Sequence, residues 1–184
     1  MIVIGYSKGI GNAIVSYFNC RGVGKEEGCD ISTEQGRTKI VHECVDQDVI
    51  ILSAHDSKNK NAQLETLFQL YKSFKNSPKH IIVIGSCTQD KWSDEINEYG
   101  AYKSAIDYAA MNMARHRNEC VVTNIRLGLT ATETSNTPKN KGKKCIDPTS
   151  VAVLIKSIIE LPVDIVPASL TVIPSRNGIV NATI

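Results

Sequence analysis

Ile2-Val3-Ile4-Gly5-Tyr6-Ser7-Lys8-Gly9-Ile10-Gly11 opens the chain, and its reading decides the fold. Three apolar residues read as a buried strand, and glycines follow at positions 5, 9 and 11. Residues 10–20 then place Ile10, Ala13, Ile14, Tyr17 and Phe18 on one helical face. Glycines between a first strand and a first helix allow a tight turn and a close approach of the backbone to a pyrophosphate. The helix amino end adds unpaired N–H groups and partial positive charge. A plain strand-to-helix turn would use the same residues, so the rest of the chain has to decide between them.

Beyond residue 20 the pattern alternates. Residues 21–29 are polar and glycine-rich, and Cys29-Asp30-Ile31-Ser32 is expected to end a short strand. A helix is expected over about 33–45, with Ile40, Val41 and Cys44 inward. Residues 48–53 form a continuous apolar run that reads as a buried strand. Leu64, Leu67, Phe68 and Tyr71 recur at helical spacing within 60–76, and Asn76-Ser77-Pro78 stops that helix. A strand at 80–85, a loop to about 97, a helix to about 116 and a strand at 121–126 follow. Residues 130–147 are a polar loop, with 134–144 the candidate mobile part. Pro148 opens a helix through Ile159, and 169–173 reads as the last strand. Such alternation predicts an α/β fold, a doubly wound parallel sheet with helices on both faces, in one domain over residues 1–184.

Composition narrows the function classes. The 184 residues are 42% hydrophobic and 22% charged, as in ordinary globular domains. A net charge of +2 with scattered basic residues gives no case for nucleic acid as a partner. No run of eighteen apolar residues exists, so no membrane span is expected. With a strand beginning at residue 2, no signal peptide is expected either. Cysteines at 20, 29, 44, 87, 120 and 145 lack Cys-x-x-Cys spacing, as free thiols in a reducing cytoplasm would. The four histidines are dispersed, so no metal site is expected.

Chemistry concentrates near the fourth strand. Ser86 stands at the end of the apolar run Ile81-Ile82-Val83-Ile84-Gly85, thirteen residues before Tyr99. Lys103 lies one helical turn beyond Tyr99. A phenol, an ammonium and a hydroxyl gathered there can exchange a proton with a carbonyl oxygen. Tyr-x-x-x-Lys alone is a common pattern, and Tyr71-x-x-x-Lys75 repeats it. Tyr71 precedes the strand and has no serine at a strand end behind it. Open α/β sheets bind ligands outside the carboxyl ends of their strands, which selects Tyr99.

Gly5-x-x-x-Gly9-x-Gly11, Ser86, Tyr99 and Lys103 together resemble the short-chain dehydrogenase/reductase family, whose fold is of Rossmann type. Leu127-Gly128-x-Thr130-x-Thr132 resembles that family's Pro-Gly-x-(Val/Ile)-x-Thr segment, with Leu127 where proline is usual. The chain is shorter than is usual in the family, and one strand–helix unit between residues 20 and 48 is expected to be reduced or missing. Leu52-Ser53-Ala54-His55 stands where the family has Asn-Asn-Ala-Gly.

The resemblance implies an NAD(P)-dependent oxidoreductase acting on a small carbonyl or alcohol. Tyr99 would be the acid/base, Ser86 would steady the substrate oxygen, and Lys103 would hold the nicotinamide ribose and lower the phenol pKa. The family's catalytic asparagine is matched best by Asn61, with Asn59 as the alternative. Cofactor contacts are implied for Gly5, Ser7, Lys8, Gly9, Ile10, Gly11, Asp30, Ile31, Ser53, Ala54, Lys103, Gly128, Thr130 and Thr132. Lys8, with Arg21 or Lys25, would meet a 2′-phosphate; Asp30, read as the family's adenine-contacting acid, leaves the ribose position without a carboxylate. The balance therefore tips to NADP(H) over NAD(H). The helix bearing Ala101, Ala105, Ala109 and Ala110 resembles those that pair in homodimers or homotetramers of the family. Two alternatives are a non-catalytic NAD(P)-binding sensor or partner-binding protein, and an epimerase or dehydratase on the same fold.

Overall fold

A computed structural model describes residues 1–90, 97–116 and 118–175. Six strands run β1 (Ile2–Ile4), β2 (Arg21–Val23), β3 (Val49–Leu52), β4 (His80–Ser86), β5 (Val121–Leu127) and β6 (Ser169–Val172). They form one sheet in the order β2-β1-β3-β4-β5-β6, and every pairing is parallel. Five helices connect them: α1 (Gly9–Phe18), α2 (Glu34–Glu43), α3 (Ala62–Phe74), α4 (Glu98–Arg115) and α5 (Pro148–Ile159). No described helix is long and apolar enough to cross a membrane.

Strand periodicity sorts the core into two layers. Ile2 and Ile4 face the layer that holds Ile40 of α2, Leu67 and Leu70 of α3, and Ile106 and Met113 of α4. Val3, between them, faces the opposite layer, with Ile14 of α1 and Val151 and Ile155 of α5. Each fully buried Ile or Leu contributes ~1.5–3 kcal/mol, so both faces of the central strands must be apolar. That requirement explains their unbroken Ile/Val runs.

The front half departs from the sequence expectation at one element. Residues 21–29 are not all loop: Arg21–Val23 is a strand, in register with Ile2–Ile4. Cys29-Asp30-Ile31-Ser32 ends no strand and lies in the turn-rich connection to α2. An edge strand of three residues needs to bury only Val23, so Arg21 and Gly22 carry no hydrophobic signal. On that side of β1 there is one strand among the described residues, where the dinucleotide-binding order 3-2-1-4-5-6 has two. The missing unit is thus the outermost strand with its helix.

β1 lies between β2 and β3, so the chain leaves it in opposite directions and opens a crevice at the strands' carboxyl ends. Close packing of backbone shapes this point. Gly5 has φ +86°, and a Cβ there would sit 2.5 Å from Ala54 Cα. At Gly11 a Cβ would fall 2.0 Å from the Gly5 carbonyl oxygen. Gly11→Ala is therefore expected to cost about 3 kcal/mol through overpacking, measured by urea unfolding. Gly24→Ala, where a Cβ meets only ordinary contacts near 3.8 Å, should change stability by under ~0.5 kcal/mol. Equal effects of the two substitutions would refute this account of the turn.

Candidate active site

The end of β4 and the start of α4 are tied together by Asn97. Its side-chain oxygen caps α4 by accepting from Gly100 N–H at 2.9 Å. Its amide donates to the Thr88 carbonyl at 3.1 Å. The first turn of α4, which carries Tyr99, is thereby held against the segment that follows Ser86. Ser86 is buried, and its oxygen accepts from the Thr88 N–H at 3.1 Å, which leaves its own proton to donate. The Tyr99 phenol is within hydrogen-bonding reach of that hydroxyl. Tyr99 remains 40% exposed, so the phenol borders open space. Burial pushes its pKa above the usual tyrosine value, and the Ser86 hydrogen bond pulls the other way.

Lys103 falls on the buried stripe of α4 with Gly100, Ile106, Ala110 and Met113. Its exposure is 4%, and burial lowers its pKa to about 8. The ammonium stands 5.5 Å from the centre of the Tyr99 ring. It donates to the Gln63 side-chain oxygen at 2.6 Å and lies 3.5 Å from the Ile84 carbonyl. Ser86, Tyr99 and Lys103 are thus brought together at the carboxyl end of the sheet.

Asn61 does not join them. It is the exposed N-cap of α3 and makes no side-chain capping bond. Asn59 is half-buried, and its N–H donates to Asp56. Gln63, two residues further along and in the first turn of α3, occupies the place expected of an asparagine beside the lysine. A second group missed in the sequence is His55, whose ring packs edge-on to Tyr99 with centroids 5.5 Å apart. Burial, and then the Lys103 charge, hold its imidazole below the usual histidine pKa, while Asp56 opposes them. A histidine three residues after a strand end was the available signal; a glutamine two residues into a helix gave none.

The glycine turn lies across the crevice. Lys8 is the N-cap of α1 and no side chain caps the helix, so its first amides keep their donor capacity. Ser7 and Lys8 are exposed, and Ile10 packs partly against the α1–α5 layer. The 130–147 loop reaches this turn: a Cβ on Gly9 would lie 3.3 Å from the Thr132 methyl. Gly128 is fixed to β6 through its N–H to Val172 O at 2.7 Å, and the Thr130 hydroxyl donates back to Gly128 O at 3.1 Å. Ser53 N–H donates to Ile4 O at 3.0 Å, which sets Ser53 and Ala54 beside Gly5.

At the far end of the crevice the charges are already engaged. Lys25 bridges Asp56, at 2.9 Å, and Asp30, at 3.4 Å. Asp30 also accepts from the N–H and hydroxyl of Ser32, and the Ile31 side chain is buried in the core. Arg21 opens β2, opposite Ile2, and pairs with Glu43, so it lies at the amino edge of the sheet, away from the crevice. The Tyr6 hydroxyl donates to Glu27 at 2.7 Å, and Gly24 N–H donates to the other oxygen of that carboxylate at 2.8 Å. Trp92 lies outside the described residues. No cluster of metal-ligating side chains occurs among the described residues.

No protein-family model matches the chain, and no curated protein matches it by sequence. Solved structures do match. A closed-form serine dehydrogenase complexed with NADP+ superposes with a TM-score of 0.74 at 18% identity, over 94% of each chain. A short-chain dehydrogenase/reductase from Vibrio parahaemolyticus gives a TM-score of 0.72 at 15% identity, over 95% of this chain and 100% of that one. A 7α-hydroxysteroid dehydrogenase, complexed with NADH and 7-oxo glycochenodeoxycholic acid, gives 0.73 at 17% identity, over 93% and 92%. At this level of identity the likeness establishes a fold: the chain has the Rossmann-type architecture of short-chain dehydrogenase/reductases.

The charge arrangement can be checked without any ligand. His55 is expected to titrate below ~6.5 by NMR. Lys103→Met removes a positive charge that disfavours the imidazolium, so the His55 midpoint should rise. A midpoint that stays put would mean that the ammonium does not face His55.

Proposed function

We propose that the chain is an NAD(P)-dependent oxidoreductase of short-chain dehydrogenase type, acting on a small carbonyl or alcohol with Tyr99 as acid/base. The observation that carries this reading is the convergence of Ser86, Tyr99 and Lys103 at the carboxyl ends of β4 and α4's first turns, facing a glycine turn on β1. The uncapped amino end of α1 and the close-packed glycines suit a dinucleotide pyrophosphate. Gly5, Ser7, Gly9, Ile10 and Gly11 would hold it, Ser53, Ala54, Gly128, Thr130 and Thr132 would line the remainder, and Asp30 with the Ile31 backbone would border the adenine. When bound, the nicotinamide supplies the hydride.

The protein's own part is proton transfer and positioning. Tyr99 and Lys103 are both largely protonated at neutral pH, so the phenol enters as a donor, the form that carbonyl reduction consumes. Ser86 donates to the same substrate oxygen and steadies developing negative charge. The Lys103 ammonium favours the phenolate left behind and has donor capacity for ribose hydroxyls. The 130–147 loop, resting on Gly9 through Thr132, serves as the substrate cover. Ala109 and Ala110 are buried in the core and are not free to pair, so the exposed Ala101 and Ala105, with Tyr108, form the face of α4 on which two copies would pair; a monomer by light scattering would reject that.

NADP(H) is the preferred cofactor. Lys8 is an exposed cation inside the glycine turn and forms no ion pair among the described residues. Glu27, the carboxylate after β2, is occupied by Tyr6 and Gly24 and is poorly placed to accept from a ribose hydroxyl. NADPH should bind about tenfold more tightly than NADH by fluorescence titration, and Lys8→Ala should erase most of that difference. Tighter NADH binding would overturn the preference.

Turnover supplies the main test. Across a panel of carbonyls and alcohols assayed by nicotinamide absorbance, Tyr99→Phe should abolish activity and leave cofactor affinity within about twofold. A nucleotide-binding protein without turnover is the second reading, favoured by the short β2 side of the sheet. Cofactor binding with no activity on the panel would select it.

A further inference from the structure

Gln63 makes a set of contacts that a core-filling residue does not need. Its exposure is 1%, and it lies in the first turn of α3 between the ends of two strands. The side-chain nitrogen donates to Leu52 O of β3 at 3.3 Å and to Ile84 O of β4 at 3.1 Å. A carboxamide has two N–H donors, and both are used on carbonyls that can only accept. The amide is therefore unable to flip, and its oxygen must point the other way. In that direction stands Lys103, donating at 2.6 Å. The strand ends dictate the orientation of the amide, and the amide dictates the place of the ammonium.

No carboxylate among the described residues is in ion-pair range of Lys103. The titratable groups facing it are Tyr99, from its own helix, and His55, from the loop after β3, which itself feels Asp56. Neither of these is an anion at neutral pH, so the Gln63 oxygen is its nearest stabilising partner.

We propose that Gln63 is a positioning residue for Lys103: locked by the Leu52 and Ile84 carbonyls, it fixes the ammonium beneath Tyr99 and favours its charged form. The proposal rests on the oxidoreductase reading for its catalytic meaning, but not for its test. An ammonium has three N–H donors. One goes to Gln63, one is directed at the more distant Ile84 carbonyl, and one is left for a bound ligand. Without Gln63 the lysine would keep its burial and lose its best acceptor, which destabilises the charged form.

The test is NMR of the ligand-free protein with isotope-labelled lysine and glutamine side chains. In the unaltered chain, the Gln63 amide signals should shift with pH at the same midpoint as the Lys103 ε-carbon. Gln63→Met, of similar size and without donor or acceptor, should lower the Lys103 midpoint by about one pH unit. Gln63→Asn is too short to reach all three partners and should shift it in the same direction. Where turnover is measurable, the limb of the pH profile that reports Lys103 should move with that midpoint. Amide signals that ignore the Lys103 titration, or a variant that loses stability with the Lys103 midpoint unmoved, would reduce Gln63 to a structural residue and overturn the proposal. An inactive but correctly titrating protein would instead count against the oxidoreductase reading alone.

Discussion

Burying the Lys103 ammonium is the constraint around which the rest of this structure is arranged. Taking an ion out of water costs several kcal/mol even after relaxation, and no carboxylate pairs with it among the described residues. The compensation comes from dipoles: the Gln63 oxygen, the Ile84 carbonyl and the face of the Tyr99 ring. Those groups belong to α3, β4 and α4, and Gln63 adds the end of β3. Four elements therefore have to meet correctly before the charge can be tolerated. A lysine in the apolar stripe of a helix would be a defect anywhere else along α4, and at this one turn it sits where strand carbonyls run out of partners.

The opposite side of the crevice solves a different problem. With one strand beyond β1 among the described residues, the sheet is narrower there than the dinucleotide-binding order 3-2-1-4-5-6. Side chains make up part of the difference. Tyr6 lies over Gly22, where a Cβ would fall 2.2 Å from the ring, and reaches Glu27. Lys25 then links the β2 loop to Asp56 behind β3. Asp56 accepts two backbone N–H bonds as well, and with Lys25 these bring its pKa to about 2. The trimmed edge is closed by polar ties rather than by another layer of apolar packing, which is consistent with the low hydrophobicity of residues 21–30.

That contrast explains what could be read from the sequence. Central strands bury both faces, so Ile2–Ile4, 48–53 and 80–85 announce themselves by composition, and the glycines at 5 and 11 by the backbone contacts they permit. Ser86, Tyr99 and Lys103 were legible because one stands at a strand end and the other two open the next helix. β2 was not, since an exposed Arg and a Gly flank its single buried residue. Asn61 was the expected partner of Lys103 because asparagine fits the resemblance, yet the length of the 53–61 connection decides which residue of α3 faces inward. With Asn61 at the N-cap, the inward-facing position falls at Gln63, and periodicity alone does not fix where a helix begins.

The two Tyr-x-x-x-Lys copies show how little of a site resides in its motif. Tyr71 is buried more deeply than Tyr99, and its hydroxyl is already satisfied: Asn118 donates to it at 2.7 Å, and it donates to Met113 O at 3.5 Å. Lys75 is the C-cap of α3, and its carbonyl accepts from Cys120 N–H as β5 approaches. In a parallel α/β unit, the end of a helix lies at the amino ends of the strands and its start lies at their carboxyl ends. Tyr71 and Lys75 close a helix, so the phenol meets the end of α4 and the connection to β5, where Met113 O and the Asn118 amide satisfy its hydroxyl. Tyr99 and Lys103 open a helix, so they face the edge where carbonyls, the glycine turn and free space converge. Position within the βα repeat, more than residue identity, leaves one phenol available for chemistry and the other spent on packing.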